Sequence, residues 1–231
     1  MLFMNISDNI DKARSIIEAK AASLGIKYDI TIIAVTKNMP SSYIVEASQA
    51  GLSNIGENRV QEAEKKFGEI KSLHGITKHM LGHLQGNKAA KAAAIFDMVQ
   101  SIDSLETAGK LDRRCMELGR VMPVLIEVNT SGEASKSGVK PELAEELAAG
   151  LAGLGSLKLS GLMTVGPLAD DEASVRRSFK LLFKLREKLL QAFSSVKEPV
   201  LSMGMSGDFE KAIEEGSNMV RLGRILFGER S

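Results

Sequence analysis

The sequence predicts an α/β fold, a (β/α)8 TIM-type barrel with an extra N-terminal helix, forming a single domain over residues 1–231. Three observations lead there. Short apolar, β-branched runs alternate with longer stretches of helical periodicity, as in a parallel sheet covered by helices. There are eight such runs in 231 residues, close to the roughly 250 residues typical of the architecture. No low-complexity tract, long internal repeat or Pro/Gly-rich linker divides the chain. An open doubly wound sheet is the other arrangement these elements allow.

In chain order, Ser7 can cap a helix over residues 8–24, which ends at Gly25 before the first strand, TIIAVTK at 31–37. Ser41 stands where the next helix begins, and strands follow at 54–58 (NIGEN), 78–84 (KHMLGHL) and 97–103 (DMVQSID). Ser104 caps the helix after the fourth strand; Pro141 occupies a first-turn position after the fifth, PVLIEVN at 123–129. The sixth strand is LKLSGLMTVG at 157–166. Asp170 and Asp171 then head a helix over 172–193, in which Val175, Phe179, Leu182, Phe183, Leu189 and Phe193 form a stripe suited to packing on a sheet. VLSMGMS at 200–206 and MVRLGRILFG at 219–228 complete the set.

Composition removes several function classes. The 30 Lys and Arg balance 29 Asp and Glu, for a net charge of +1, so no long-range field gathers nucleic acid or an anionic membrane. Aromatic content of 4% with no Trp leaves little to stack on bases. The lone Cys115 cannot pair within the chain, which fits a reducing, cytoplasmic setting. The apolar start at residues 1–4 is cut short by Asn5, Ser7 and Asp8, too early for a signal peptide. No apolar run approaches the roughly 20 residues of a membrane span.

In a barrel the chemistry gathers at the C-terminal strand ends. Here those ends are polar: Lys37, Asn58, His83, Asp103, Asn129, Thr164, Ser206 and Arg221. Lys37 is chemically distinctive, because an amine closing the run IIAVT is partly desolvated, which lowers its pKa and exposes a neutral nucleophile for Schiff-base formation. A solvated strand-end lysine is the plain alternative. SMGMSGDFEKAIEEG passes through small residues into a helix, so backbone N–H groups near Ser206, Gly207 and Asp208 can face a phosphate. Gly223, flanked by Arg221 and Arg224, permits close backbone approach. These are the loops after the seventh and eighth strands, where barrels often bind phosphate; an ordinary βα turn capped by Ser206 is the alternative. His79 and His83 lie four apart with no third ligand tied to them, so no metal site is expected, and His74 reads as solvated. Glu57 is either an orienting partner or part of a turn. The loop at 130–138 is a turn or a mobile rim holding a second amine, Lys136, and Asp112, Arg113 and Arg114 read as an exposed helix face.

Seven motifs in order, AVTKNMP (34–40), IGENRVQEA (55–63), HMLGHLQGNK (79–88), VLIEVNTSGEASKSG (124–138), LSGLMTVGP (159–167), LSMGMSGDFEKAIEEGS (201–217) and VRLGRILFGER (220–230), resemble the pyridoxal phosphate homeostasis protein family, related to the N-terminal barrel of alanine racemase. The resemblance spans nearly the whole chain. It implies pyridoxal 5'-phosphate (PLP) held as an internal aldimine on Lys37, phosphate lined by Ser206, Gly223 and Arg224, Arg221 facing the pyridine nitrogen, and Asn58 and Met203 flanking the cofactor. Gly207 stands where Asn is common and Arg224 where Thr is frequent; the second departure alters the side-chain part of the implied phosphate site and leaves a backbone N–H there. The implied role is PLP (vitamin B6) homeostasis as carrier or buffer, exchanging PLP with PLP-dependent enzymes or amino acids, with no catalytic residue and no metal, and as a monomer rather than a dimer. A low-activity PLP-dependent amino-acid racemase is the alternative; it needs a second proton donor, and Tyr28, Tyr43 and Cys115 are poorly placed to be one. A class I aldolase using Lys37 is a third reading.

Overall fold

The computed structural model describes residues 5–168, 171–192 and 199–228. Its centre is a closed barrel of parallel strands in sequential order: β1 (Thr31–Val35), β2 (Asn54–Glu57), β3 (Thr77–Met80), β4 (Met98–Ile102), β5 (Met122–Glu127), β6 (Leu157–Met163), β7 (Val200–Met205) and β8 (Met219–Leu222). Closure comes from β8 pairing back on β1, with Ile32 opposite Val220 and Ile33 opposite Arg221. The helices, α1 (Ile6–Ser23), α2 (Ser42–Gln49), α3 (Val60–Glu69), α4 (Ala89–Ile95), α5 (Leu105–Glu117), α6 (Ala144–Leu151), α7 (Glu172–Ala192), α8 (Phe209–Glu214) and α9 (Arg224–Phe227), connect or flank the strands. Among the described residues no helix is long and apolar enough to cross a membrane.

Both strand faces are buried, which explains why the strand runs are continuously apolar rather than alternating. In β1, Ile32 and Ala34 join the outer core under the helices, while Ile33 and Val35 point into the barrel with Leu81 and Met219. Met98, Leu125 and Met163 fill the opposite side of the interior. Along α7, Val175, Phe179, Leu182, Leu185 and Leu189 are buried, and Phe183 is half-buried beneath the Arg186 guanidinium, 4.4 Å from the ring centroid. Burial of that stripe at roughly 25 cal/mol per Å² fixes the helix on the sheet.

The sequence boundaries need four corrections. The helix α1 starts at Ile6 because Asn5, not Ser7, is its cap: the Asn5 side chain accepts the Ser7 N–H. Ser41 does not cap α2; its hydroxyl donates to Glu69 Oε2. The last apolar run, expected as one strand, divides: β8 ends at Leu222 and residues 224–227 turn into α9, where Phe227 meets Tyr43 edge-on and the Leu226 carbonyl accepts from Asn9 of α1. One hydrophobic run thus supplies a barrel strand and the seat of the N-terminal helix. Finally, Asp112 is half-buried and accepts the Ser156 N–H at 2.7 Å, so only part of its stretch is an exposed face. Asp170, Phe193, residues 1–4 and the last residues of the VRLGRILFGER motif lie outside the described residues.

A glycine decides the packing of β6 against β7. Gly161 has φ +149°, and a side chain there would run into the Val200 backbone. Gly161→Ala should therefore destabilise the fold by about 3 kcal/mol, measured by urea unfolding.

Candidate functional site

A cavity of about 720 Å³ opens at the C-terminal end of the barrel. Its wall takes Val35 and Lys37 from β1 and its turn, Asn58 after β2, Ser206 and Gly207 after β7, and Arg221, Gly223 and Arg224 around the end of β8. Six of the residues singled out in the sequence, Lys37, Asn58, Ser206, Arg221, Gly223 and Arg224, therefore share one space. Met203 does not line it: that side chain is fully buried in the outer core, and Met205 stands on the wall instead.

The turn bearing Lys37 is fixed from outside the barrel. Lys66 of α3, almost fully buried, donates to the Thr36 carbonyl at 2.7 Å and to Glu57 Oε1 at 2.8 Å, and pairs with Glu62 at 2.6 Å. The Thr36 hydroxyl also donates to Glu57 Oε1, and the Asn38 N–H donates to Glu62 Oε1. Asn38 has φ 62°, a left-handed conformation that asparagine tolerates better than most residues. The backbone on both sides of Lys37 is thus tied to one buried ammonium and two carboxylates. Lys37 itself is half-buried.

Arg221 is held from inside. One of its terminal nitrogens, Nη1, donates to the Ser202 carbonyl and hydroxyl, both at 2.7 Å, and Nη2 donates to the Thr164 carbonyl at 2.7 Å. Burial pulls its pKa down to about 10, against the charges of Asp208 and Glu127, so it stays cationic at neutral pH. Three of its five N–H groups account for these bonds, and the residue also forms part of the cavity wall.

At the β7–β8 side, Ser206 Oγ accepts from the N–H groups of Gly223 and Ile225, both at 3.3 Å, and so bridges the two loops. The Asp208 N–H is not open to an anion; it donates to the Met205 carbonyl, while Asp208 Oδ1 accepts the Met205 N–H. Burial pushes the Asp208 carboxyl above its ordinary range, opposed by the Met205 hydrogen bond and by Arg221. The remaining strand-end residues serve the frame. Asn129 organises its loop through the Glu133 and Lys136 carbonyls, and Thr164 donates to the Val128 carbonyl. Lys136 donates to the Gly166 carbonyl and pairs with Glu133 at 2.9 Å, which ties that amine to the rim. His83 bonds Asp103 at 3.0 Å, His79 points into the barrel interior, and His74 is exposed. The sequence reading passed over Gln100, Ser202 and Glu127, whose signal was a polar residue at an inward-facing position of an apolar strand.

Glu127 at the end of β5 is buried, and its Oε2 has no hydrogen-bond partner among the described residues. Burial, reinforced by Asp103 and opposed by Arg221, raises its pKa to about 7. The folded protein holds this proton more tightly than the unfolded chain, so stability from the neutral acid is complete at low pH and declines as pH rises from about 4.5 to 7. Glu127→Gln should remove that decline. Urea unfolding of the ligand-free variant should show a gain of about 2–3 kcal/mol over the parent at pH 8 and little gain at pH 5.

Residues 5–231 match the family described as alanine racemase, N-terminal domain. Pyridoxal phosphate homeostasis proteins of Aquifex aeolicus and Escherichia coli K12 are similar to the chain. The first is 41% identical over 199 residues, covering 86% of each chain; the second is 39% identical over 235 residues, covering 98% of this chain and 97% of the relative. Among solved structures, PipY of Synechococcus elongatus with PLP bound superposes with a TM-score of 0.79 at 37% identity, covering 91% of this chain and 99% of PipY.

Proposed function

Because the chain belongs to the pyridoxal phosphate homeostasis protein family, within the alanine racemase N-terminal domain group, we propose that it binds PLP in the cavity at the barrel mouth and takes part in PLP homeostasis as a carrier or buffer. One observation bears most of this reading: an amine on a rigid turn, Lys37, and a permanent cation, Arg221, face the same cavity. The donor set fits the cofactor. Lys37 supplies a nucleophile for an aldehyde; the Ser206 hydroxyl and the backbone around Gly223 and Arg224, with the Arg224 guanidinium, line a place for a phosphate; Asn58 flanks the ring. When bound, PLP offers an aldehyde that condenses with the Lys37 amine to a Schiff base, releasing one water, and a pyridine ring that withdraws electrons.

Arg221 determines how much of that withdrawal is available. A guanidinium that stays cationic at neutral pH beside the ring nitrogen disfavours a proton there, and an unprotonated pyridine is a weak electron sink. The protein holds the cofactor while keeping it electronically quiet, as suits a carrier. Among the described residues that line the cavity there is no tyrosine or cysteine to serve as a second proton donor: Tyr28 is exposed, Tyr43 packs on Phe227, and Cys115 is buried in α5. Amino acids or PLP-dependent enzymes as acceptors of PLP, and a monomeric state, belong to the same proposal.

Borohydride reduction of the PLP-loaded protein followed by peptide mass analysis should place the pyridoxyl group on Lys37, and Lys37→Ala should lose the coloured adduct. A label elsewhere, or undiminished colour in the variant, contradicts the assignment.

A further inference from the structure

The Arg221 guanidinium is one end of a hydrogen-bonded chain that crosses the barrel interior. Ser202 Oγ, which accepts from Arg221, donates to Gln100 Oε1 at 2.7 Å, spanning the lumen from β7 to β4. The amide nitrogen of Gln100 lies 3.1 Å from His79 Nδ1 on β3, and His79 Nε2 lies 3.0 Å from Asn54 Oδ1 at the start of β2. Ser202, Gln100 and His79 are all at most 2% exposed. Once the Ser202 hydroxyl donates to Gln100 Oε1, the Gln100 NH2 must face His79, so Nδ1 accepts and Nε2 carries the proton donated to Asn54. Every donor then points the same way, from Arg221 towards Asn54. Burial supports the neutral ring, lowering the His79 pKa to about 4 against the charge of Asp97.

We propose that Ser202, Gln100, His79 and Asn54 are positioning residues that orient the Arg221 guanidinium towards the cavity, with the Nε2–H tautomer of His79 setting the direction of the chain. None of the four needs to touch the ligand. If His79 carried its proton on Nδ1, Gln100 would have to turn its NH2 towards Ser202. The Ser202 oxygen would then accept from both Gln100 and Arg221 while its own hydrogen lost its acceptor, so the side-chain part of the hold on Arg221 would be shared with a second donor and only the Ser202 and Thr164 carbonyl bonds would be unchanged. The chain thus extends control of the guanidinium from the cavity to the opposite end of the barrel. The inference rests on the reading of the cavity as a PLP site.

The test titrates PLP into the full-length parent protein and into Gln100→Leu, Ser202→Ala and Ser202→Thr, reading affinity and the pH midpoint of the Schiff-base absorption band. Losing a partner within a buried network should weaken PLP binding about tenfold in Gln100→Leu and Ser202→Ala and displace the midpoint, while Ser202→Thr, which keeps the hydroxyl, stays close to the parent. Folded Gln100→Leu and Ser202→Ala proteins with the parent's affinity and midpoint would overturn the proposal. A parent protein that forms no such band would instead reject the PLP reading beneath it. Should the variants fail to fold, the ring 15N shifts of His79 in the parent protein decide: a proton on Nε2 alone supports the chain, and a proton on Nδ1 overturns it.

Discussion

A cation buried inside a barrel must be answered by fixed dipoles, and Arg221 imposes that requirement here. Taking a guanidinium out of water costs several kcal/mol. Among the described residues no carboxylate pairs with it directly; Asp208 and Glu127 act on it through space, and the carbonyls of Ser202 and Thr164 with the Ser202 hydroxyl make its hydrogen bonds. Its charge is solvated by the backbone of β7 and the end of β6 without being neutralised. A cation in that condition on a cavity wall favours a ligand that presents a lone pair or negative charge, and it disfavours another proton nearby.

Lys37 is governed by a separate network on the other side of the sheet. The Lys66 ammonium closes the β1 turn against Glu57 and Glu62 under α3, whereas Arg221 is reached through the barrel lumen. The side chains that support the amine and the cation are therefore different, although the strands that carry them, β1 and β8, are paired in the barrel with Ile33 opposite Arg221. A disturbance of one support need not move the other, so holding the cofactor covalently and tuning its ring are mechanically separable in the proposed function.

Much of this was legible in the sequence. Eight buried parallel strands write themselves as continuous apolar runs, and a polar residue closing such a run, as Lys37, Asn58 and Ser206 do, stands out for that reason. Met203 comes from the resemblance alone; in the structure it faces the outer core, and with the β7–β8 pairing shifting register between Ser202 and Met205 it is Met205 that reaches the cavity wall. The turn of residues 224–227 into α9 was hidden because ILF has the same apolarity in a strand as in a helical turn, and only the α1 side of the outer core decides between them. Gln100 and Glu127 were passed over because a polar residue within a strand run has no visible partner until the barrel closes; Gln100 and Ser202 are 102 positions apart. The Lys66 network was equally silent, since a lysine on a helix of Glu and Lys resembles a solvated face.

The central claim is that Arg221, cationic and held by dipoles, keeps the ring nitrogen of bound PLP without a proton. The most direct measurement is the 15N chemical shift of PLP labelled at the pyridine nitrogen and bound to the protein, followed from pH 6 to pH 9. The account predicts the shift of an unprotonated pyridine throughout that range. A pyridinium shift at pH 7 would contradict it.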